Sequence, residues 1–347
     1  MRSVQRGSCI KFTGKGNFFT DQKPFVLPLP SMTKRYTSVP FRLIISLSMG
    51  IVWIFLSLHC QTVFAQKFRD QKQAEDSLYM ILKRLNLSQS DSITNILNQS
   101  FSDNLAEALK LPVNSKLPFD SLKRLIKIES PDRTFRIFHW NLPTRDGKHR
   151  YYGYLQVIKQ KSPVVFPLAD MSDSLVIPDT SILGPSHWYG ALYYKIIPNQ
   201  TASGSSYYTL LGWAAKNSRV AGKVIEILSF DNTGRPLFGK RIFPGYQDGG
   251  NTRIIFRFSS ATTMALKYEN QVIETDRQWN KSKRTFESTR KEIPMIVLDR
   301  MVPPDPSLER QYQYYIAAGD VFDGFMLKNN AWVFVPGIDA RNKNQDK

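Results

Sequence analysis

The stretch WYGALYYKIIP (residues 188–198) opens the region that decides the fold of this chain. Five further runs of apolar, aromatic and β-branched residues follow it, namely SSYYTLLGWAAK (205–216), KVIEILSF (223–230), RPLFGKRIF (235–243), TRIIFRFSS (252–260) and TTMALKYE (262–269). Turn-forming residues such as Asn199, Gly204 and the Gly249–Gly250 pair separate the runs. Short runs of this composition at this spacing are typical of an antiparallel meander.

Alternation inside the runs separates buried faces from exposed ones. In RIIFRF (253–258), the apolar residues Ile254, Phe256 and Phe258 share one face, and both arginines point to the other. A two-residue period of this kind indicates a half-buried strand. Lys223–Leu228 is instead apolar on both faces, which favours a central strand covered on each side, with a buried helix segment as the alternative.

Two or three short helices are expected before the β region. A second helical region from about Ser90 to Lys110 forms either one helix or two helices that break near Ser102, and Pro112 ends the pattern. The first helix is predicted by a stripe of apolar residues at helical spacing: Leu78, Ile81, Leu82 and Leu85.

Further short apolar runs after residue 125 bring the expected number of strands to about fifteen. Ser130–Arg133 and Thr144–Gly147 carry the proline, aspartate and glycine of tight hairpin turns. Residues 311–316 predict another strand. Residues 275–293 are highly charged and lack a period, so they predict an exposed loop or a short surface helix.

The expected fold class is therefore mainly β. It is an antiparallel meander, either propeller-like or a sandwich, preceded by two or three short N-terminal helices. The helical segment covers residues 66–118 and the β domain covers residues 119–340, while residues 341–347 predict a disordered tail.

The N-terminal part has the layout of a secretory signal peptide. Residues 43–58 form an apolar run with basic residues before it and a small residue directly before Gln66. Signal peptides normally have about 15–30 residues, so a start at Met32, which gives a peptide of 34 residues, fits better than a start at Met1. Residues 32–65 are therefore predicted to be removed, and residues 1–31 to be a misassigned upstream segment. A retained membrane anchor is the alternative. The mature protein is expected in the periplasm or at the cell surface of a Gram-negative bacterium.

Cysteine content and charge narrow the chemistry. Both cysteines, Cys9 and Cys60, precede Gln66, so the mature chain is expected to lack disulfides, thiolate catalysis and cysteine-ligated metals. From Gln66 onward the chain carries 39 basic and 28 acidic residues, a formal net charge of +11. This charge allows an anionic glycan or an acidic envelope protein as partner. Nucleic acid is not expected, and membrane contact is expected only through the signal segment.

No catalytic motif is present in the sequence. A nucleophile elbow, a phosphate loop, a dinucleotide fingerprint and a zinc-type His-Glu-x-x-His pattern are all missing, so no catalytic residue, cofactor or metal site is predicted. Asp320, Asp323 and Asp339 are expected to stabilise turns, because calcium needs more oxygen ligands than this stretch supplies. A paired-carboxylate hydrolase acting on envelope glycans is the alternative, and its candidate residues are Glu226, Asp276 and Asp299.

Tyrosine pairs on the predicted strands are the remaining signal. In such a pair the two rings point to opposite faces of the sheet, so one ring can enter the core while the other lies at the surface. An exposed ring offers a stacking face to a sugar or a peptide, whereas a buried one fills the β core. The candidate ligand-binding aromatics are Tyr152, Tyr154, Tyr207 and Tyr208.

A set of short motifs lies between residues 119 and 332: FDSL (119–122), SPD (130–132), FRIFHW (135–140), YYTLLGW (207–213), PLFG (236–239), RIIF (253–256), DGF (323–325) and Trp332. In these motifs the chain resembles a family of exported proteins from Bacteroidota for which no activity is established. The resemblance implies export and a continuous β fold, and it carries over no catalytic residue. The resulting hypothesis is a noncatalytic binding or scaffold module of the cell envelope.

Overall fold

The computed structural model of the chain describes residues 67–113, 118–159, 162–247 and 249–338, without the side chains of 273–278 and 287–290. The predicted signal peptide, the upstream segment and the polar tail lie outside these residues. The described part contains the helices α1 (Gln71–Leu87) and α2 (Asp91–Ala108) and the strands β1 (Ile126–Glu129), β2 (Phe135–Pro143), β3 (His149–Val157), β4 (Val164–Ala169), β5 (Leu192–Gln200), β6 (Ser206–Trp213), β7 (Val220–Phe230), β8 (Pro236–Phe238), β9 (Ile254–Ser259), β10 (Leu266–Asn280), β11 (Thr285–Val302), β12 (Ile316–Lys328) and β13 (Ala331–Ile338). The mainly β class, with helices ahead of an antiparallel meander, is confirmed.

The strands form three sheets in chain order. Sheet 1 has the order β1-β2-β3-β4, sheet 2 has the order β5-β6-β7-β8, and sheet 3 has the order β10-β11-β12-β13. Strand β9 returns to sheet 2 and pairs with β7, so the meander departs from strict sequence order there. Because β7 has β6 on one side and both β8 and β9 on the other, the prediction of a central strand is confirmed. None of the three sheets in the described residues closes into a barrel.

The three sheets stack in layers, and alternate residues along strands such as β2 belong to different ones of three hydrophobic cores. On β2, Phe138 and Trp140 face the helices, whereas Phe135 and Ile137 face sheet 2. Sheet 2 is covered on both faces, since some of its residues pack against sheet 1 and others against sheet 3. The order of layers is therefore helices, sheet 1, sheet 2 and sheet 3.

The helices dock on sheet 1 through an apolar stripe and through hydrogen bonds such as the one between Trp140 and Asn98. Asp70 caps α1, its Oδ1 accepting from the Gln73 amide at 2.8 Å. Trp140 of β2 donates from Nε1 to Oδ1 of Asn98 on α2 at 2.8 Å, and its ring packs edge-on against Phe101 at 5.1 Å. Residues 91–108 form one continuous helix, so the alternative of a break near Ser102 is wrong. No helix of the described residues has the length and apolarity needed to cross a membrane.

Turn residues set the hairpins where the sequence predicts them. Gly147 has φ +76° and closes the β2–β3 turn by donating to the Thr144 carbonyl at 2.9 Å. Asn329 and Asn330 both have positive φ and join β12 to β13, the conformation that a two-residue hairpin loop requires. Asp320 and Asp323 lie within β12, so the prediction that they stabilise a turn is wrong.

Three predicted segments take other forms. Residues 275–293 are neither a loop nor a helix, because they belong to the long hairpin of β10 and β11. Both faces of that hairpin carry polar residues, so no apolar period marks it in the sequence. Residues 312–314 form a short 3-10 helix rather than a strand, and the run 235–243 is extended only over Pro236–Phe238.

Candidate functional site

A pocket of about 310 Å³ lies where the start of β3, the connector after β4 and sheet 2 meet. Its walls come from six separate parts of the chain: β3 with His149, the connector 172–178, the Tyr189–Gly190 turn, the β6–β7 turn with its flanking residues, β9 with Arg257, and the 3-10 helix with Tyr312. Small-molecule sites commonly have volumes from about 300 to 1,000 Å³, so this pocket has room for a small ligand or one unit of a polymer.

The connector is held in place by the carboxylate of Asp170. Its Oδ2 accepts from the Tyr151 amide and its Oδ1 from the Ser172 amide, each at 3.0 Å. The Met171 amide also donates to the Trp188 carbonyl at 2.9 Å. Gly190 has φ +61°, and a Cβ at this position would collide with the Asp170 carboxylate. The pocket wall therefore requires glycine at 190.

Cations and aromatic rings line this pocket. The Arg257 guanidinium lies over the ring of Tyr312, 5.8 Å from its centroid, and its Nη2 is 3.8 Å from Oδ2 of Asp179. Lys216 is exposed at the end of β6. Burial raises the pKa of Tyr189 to about 12, so its hydroxyl stays protonated at neutral pH and can donate a hydrogen bond. The lining therefore suits a ligand that carries negative charge and an apolar or ring-shaped body.

His149 contributes a neutral imidazole to the same wall. Partial burial lowers its pKa, so the ring is uncharged at neutral pH. Its Nδ1 lies 3.0 Å from the side-chain Nδ2 of Asn141, which makes Nδ1 the acceptor and leaves the proton on Nε2. The ring also packs edge-on against Trp213 at 5.2 Å. This contact fixes the orientation of the imidazole.

Of the four predicted ligand-binding tyrosines, Tyr152 is the one that is partly exposed, and the other three are buried. It stacks on Trp140 at 5.5 Å with an interplanar angle of 16° and borders two further pockets of about 470 and 340 Å³, both next to Arg150. Tyr154 is buried against the helices, and its hydroxyl lies 2.7 Å from Oγ of Ser102.

Tyr207 and Tyr208 are also buried. Tyr207 donates its hydroxyl to the Asn330 carbonyl at 2.9 Å, and Tyr208 donates its hydroxyl to Asp132. Together with Tyr154, these two tyrosines form part of the cores and offer no exposed face for a ligand.

Of the carboxylates named for a hydrolase, Glu226 and Asp299 are not brought together in a cleft. Glu226 is fully buried between sheets 1 and 2, where Arg253 donates from Nε to its Oε2 at 2.8 Å. Burial raises the pKa of Glu226, and the Arg253 charge opposes this effect. Asp299 lies on β11 in sheet 3 and accepts from the Ala265 amide at 2.7 Å. The side chain of Asp276 is outside the described part of the structure.

The C-terminal aspartates do not form a metal site in the described residues. Asp323 is paired with Arg300, whose Nε lies 2.9 Å from its Oδ2, and it accepts from the Gly337 amide at 3.0 Å. Asp339 lies outside the residues that the structure describes. Across the described ranges, no group of three or more histidine, cysteine, aspartate or glutamate side chains is placed to hold a metal ion.

Sequence reasoning missed Arg257, Tyr312 and Lys216 as pocket residues. Alternation correctly places Arg257 on the face of β9 opposite Ile254, Phe256 and Phe258. That face is not open solvent, because the connector and the 3-10 helix at Tyr312 approach it. The only available signal was an arginine on an otherwise apolar strand, and this signal does not identify the segments that approach the strand.

The chain matches no model of a protein family, no curated protein sequence and no solved structure. The resemblance to exported proteins of Bacteroidota therefore stays a prediction.

Proposed function

We propose that this chain is an exported, noncatalytic binding module of the cell envelope, and that the pocket beside Arg257 binds an acidic glycan. The observation that carries the proposal is the Arg257 guanidinium held over the Tyr312 ring on the pocket wall. Arginine presents a planar set of donors that matches a carboxylate or phosphate group in two hydrogen bonds. The pocket thereby combines a site for negative charge with aromatic surface for a sugar ring.

Binding is favoured over hydrolysis by the state of the carboxylates. Glycoside hydrolysis uses two carboxyl groups about 5–10 Å apart that flank the scissile bond. Glu226 is instead enclosed in its ion pair with Arg253. The carboxylate of Asp170 accepts two backbone hydrogen bonds that hold the connector. Asp173, at the pocket edge, lies 3.5 Å from the Lys148 ammonium. Each of these three carboxylates is therefore engaged in an ion pair or in backbone hydrogen bonds.

Calorimetric titration with acidic oligosaccharides and their carboxyl-reduced, neutral counterparts tests this proposal. We expect the acidic form to bind and the neutral form to bind at least about tenfold more weakly, because one charge-assisted hydrogen bond contributes about 1.5–3 kcal/mol. Arg257→Gln should weaken binding of the acidic form to a similar extent. The matched control is Arg219→Gln, which removes an exposed arginine that does not line the pocket. An equal loss of affinity for the acidic oligosaccharide in both variants would show that the pocket is not the binding site.

Export is tested separately by the intact mass of the protein recovered from a Gram-negative host. We expect a chain that begins at Gln66. A product that keeps residues 43–58 contradicts the removal of the signal peptide and supports the anchored alternative. Neither result changes the expectation for glycan binding at the pocket.

A further inference from the structure

Strands β10 and β11 form a hairpin that extends beyond sheet 3. Strand β12 pairs with β11 only as far as Met295. The pairs from Asn270–Pro294 outward to Asn280–Thr285 join β10 and β11 alone among the strand pairings of the described residues. At a rise of about 3.3 Å per residue, this two-stranded arm is about 30 Å long. Its end is therefore well separated from the layered core.

Two aromatic rings lie side by side and exposed at the end of the arm. Trp279 and Phe286 are directly opposite each other in the register, with centroids 5.0 Å apart. Trp279 is 50% exposed and Phe286 is 58% exposed. The other described tryptophans are buried or half-buried, so this placement departs from the pattern of the rest of the chain. Exposed neighbouring aromatics mark an interaction surface.

The turn between the two rings is strongly basic. Residues 279–286, WNKSKRTF, contain three cations and no carboxylate. Lys281, Lys283 and Arg284 are all exposed. The side chain of Asn280 orders the turn, its Oδ1 accepting from the Ser282 and Lys283 amides at 3.0 and 3.1 Å. We call residues 279–286 the arm tip.

We propose that the arm tip docks on an anionic lipid surface. Trp279 and Phe286 lie at the level of the headgroups, where aromatic rings are favoured, and the three cations contact lipid phosphates. The narrow, convex shape of the tip favours a lipid surface over a folded protein partner. A stable protein interface needs about 800 Å² per partner with complementary shape, whereas a bilayer accepts a protruding tip without complementarity. This assigns membrane contact to a segment for which the sequence predicted none.

Sedimentation with lipid vesicles tests the proposal. The protein is produced from its whole coding sequence, and residues 43–58, where retained, are the same in every variant. We expect binding to vesicles of phosphatidylcholine mixed with phosphatidylglycerol and much weaker binding to phosphatidylcholine alone. The variant Lys281→Gln/Lys283→Gln/Arg284→Gln should lose affinity for the mixed vesicles by a factor on the order of 100, since each cation near an anionic surface contributes about 1 kcal/mol.

A matched control removes the same charge from another place. Lys72→Gln/Lys83→Gln/Arg84→Gln changes three exposed cations on α1 and should reduce vesicle binding by less than about tenfold, through net charge alone. Trp279→Ser/Phe286→Ser should also weaken binding to the mixed vesicles, because the rings supply the apolar contact. Thermal melting should be nearly unchanged in each variant, which separates docking from folding.

Tryptophan fluorescence locates the contact. On addition of mixed vesicles, we expect the emission to shift to shorter wavelength, and we expect Trp279→Phe to lose this shift while still sedimenting with the vesicles. Equal vesicle binding by the arm-tip and α1 charge variants would overturn the proposal. It would also be overturned if the arm-tip variants lost binding to heparin or DNA but kept full binding to vesicles.

Discussion

Tyr207 and Tyr208 are adjacent in β6, yet their rings lie in different cores. The Tyr207 ring packs between sheets 2 and 3, and the Tyr208 ring packs between sheets 1 and 2. Their hydroxyls continue in opposite directions, to the Asn330 carbonyl at the turn of sheet 3 and to Asp132 at the first turn of sheet 1. One tyrosine pair thus links the three sheets through the middle layer.

Truncation of buried tyrosines should cost more stability than truncation of exposed ones. Tyr207→Ala and Tyr208→Ala should each lower the free energy of unfolding by about 3–5 kcal/mol, because each removes a buried aromatic side chain. Tyr152→Ala should cost less, since its ring is partly exposed. Tyr314→Ala, at an exposed position, serves as the control and should change the free energy of unfolding by no more than about 0.5 kcal/mol. Urea unfolding measures all four variants, and equal losses for Tyr152 and Tyr207 would contradict the layered arrangement.

The buried ion pair between Glu226 and Arg253 should behave as a unit. Besides Glu226, Arg253 donates to the Ser181 and Phe238 carbonyls at 2.9 and 3.0 Å, so both side chains are enclosed and satisfied. Glu226→Gln should cost about 3–5 kcal/mol of folding stability because it leaves the Arg253 charge buried without its counter-ion.

A double-mutant cycle provides the check. Glu226→Gln combined with Arg253→Met removes both charges, so its cost should be clearly smaller than the sum of the two single costs. Additive costs in chemical unfolding would show that the two side chains do not depend on each other.

His139 should make stability fall in mild acid. It is fully buried, with Nδ1 3.0 Å from the Ile126 carbonyl and Nε2 accepting from the Tyr193 amide at 2.6 Å. Burial lowers its pKa to about 4, below the ordinary 6.5. Between pH 4 and pH 6.5 the His139 ring binds a proton in the unfolded chain but not in the folded chain. The contribution of the neutral ring to stability is therefore complete above pH 6.5 and decreases as the pH falls toward 4. The full loss is about 3 kcal/mol.

Unfolding free energies measured across this pH range, for the protein and for His139→Gln, test the effect. The variant should show a shallower dependence on pH, whatever its absolute stability. His187→Gln, at an exposed position, should keep the original slope. A slope that is the same in the protein and in His139→Gln would assign the acid sensitivity to other groups.

Local rules predicted the elements of this fold well. The period of two in RIIFRF places Ile254, Phe256 and Phe258 together in the core between sheets 2 and 3. The Asp146–Gly147 and Asn329–Asn330 pairs form turns because their backbone conformations are local properties. The stacking of the sheets does not follow from such rules, because it depends on contacts between residues far apart in the sequence.

The candidate pocket shows why the site was harder to predict. Arg257 and Tyr312 are 55 positions apart, and the connector that faces them comes from before sheet 2. The tyrosine pairs were predicted to bind a ligand. However, Tyr154, Tyr207 and Tyr208 are buried, because a neighbouring layer of the fold covers each ring. A pattern along one strand shows which residues share a face, and it does not show what covers that face.

Hydrogen–deuterium exchange of the protein with and without a bound acidic oligosaccharide tests the central claim most directly. If the pocket beside Arg257 is the binding site, amide exchange should slow in the connector 170–178, at the β6–β7 turn 214–221 and in the 3-10 helix near Tyr312. Arg257→Gln should reduce this protection at the same oligosaccharide concentration. Protection confined to the arm tip, or protection that is unchanged in Arg257→Gln, would contradict the claim.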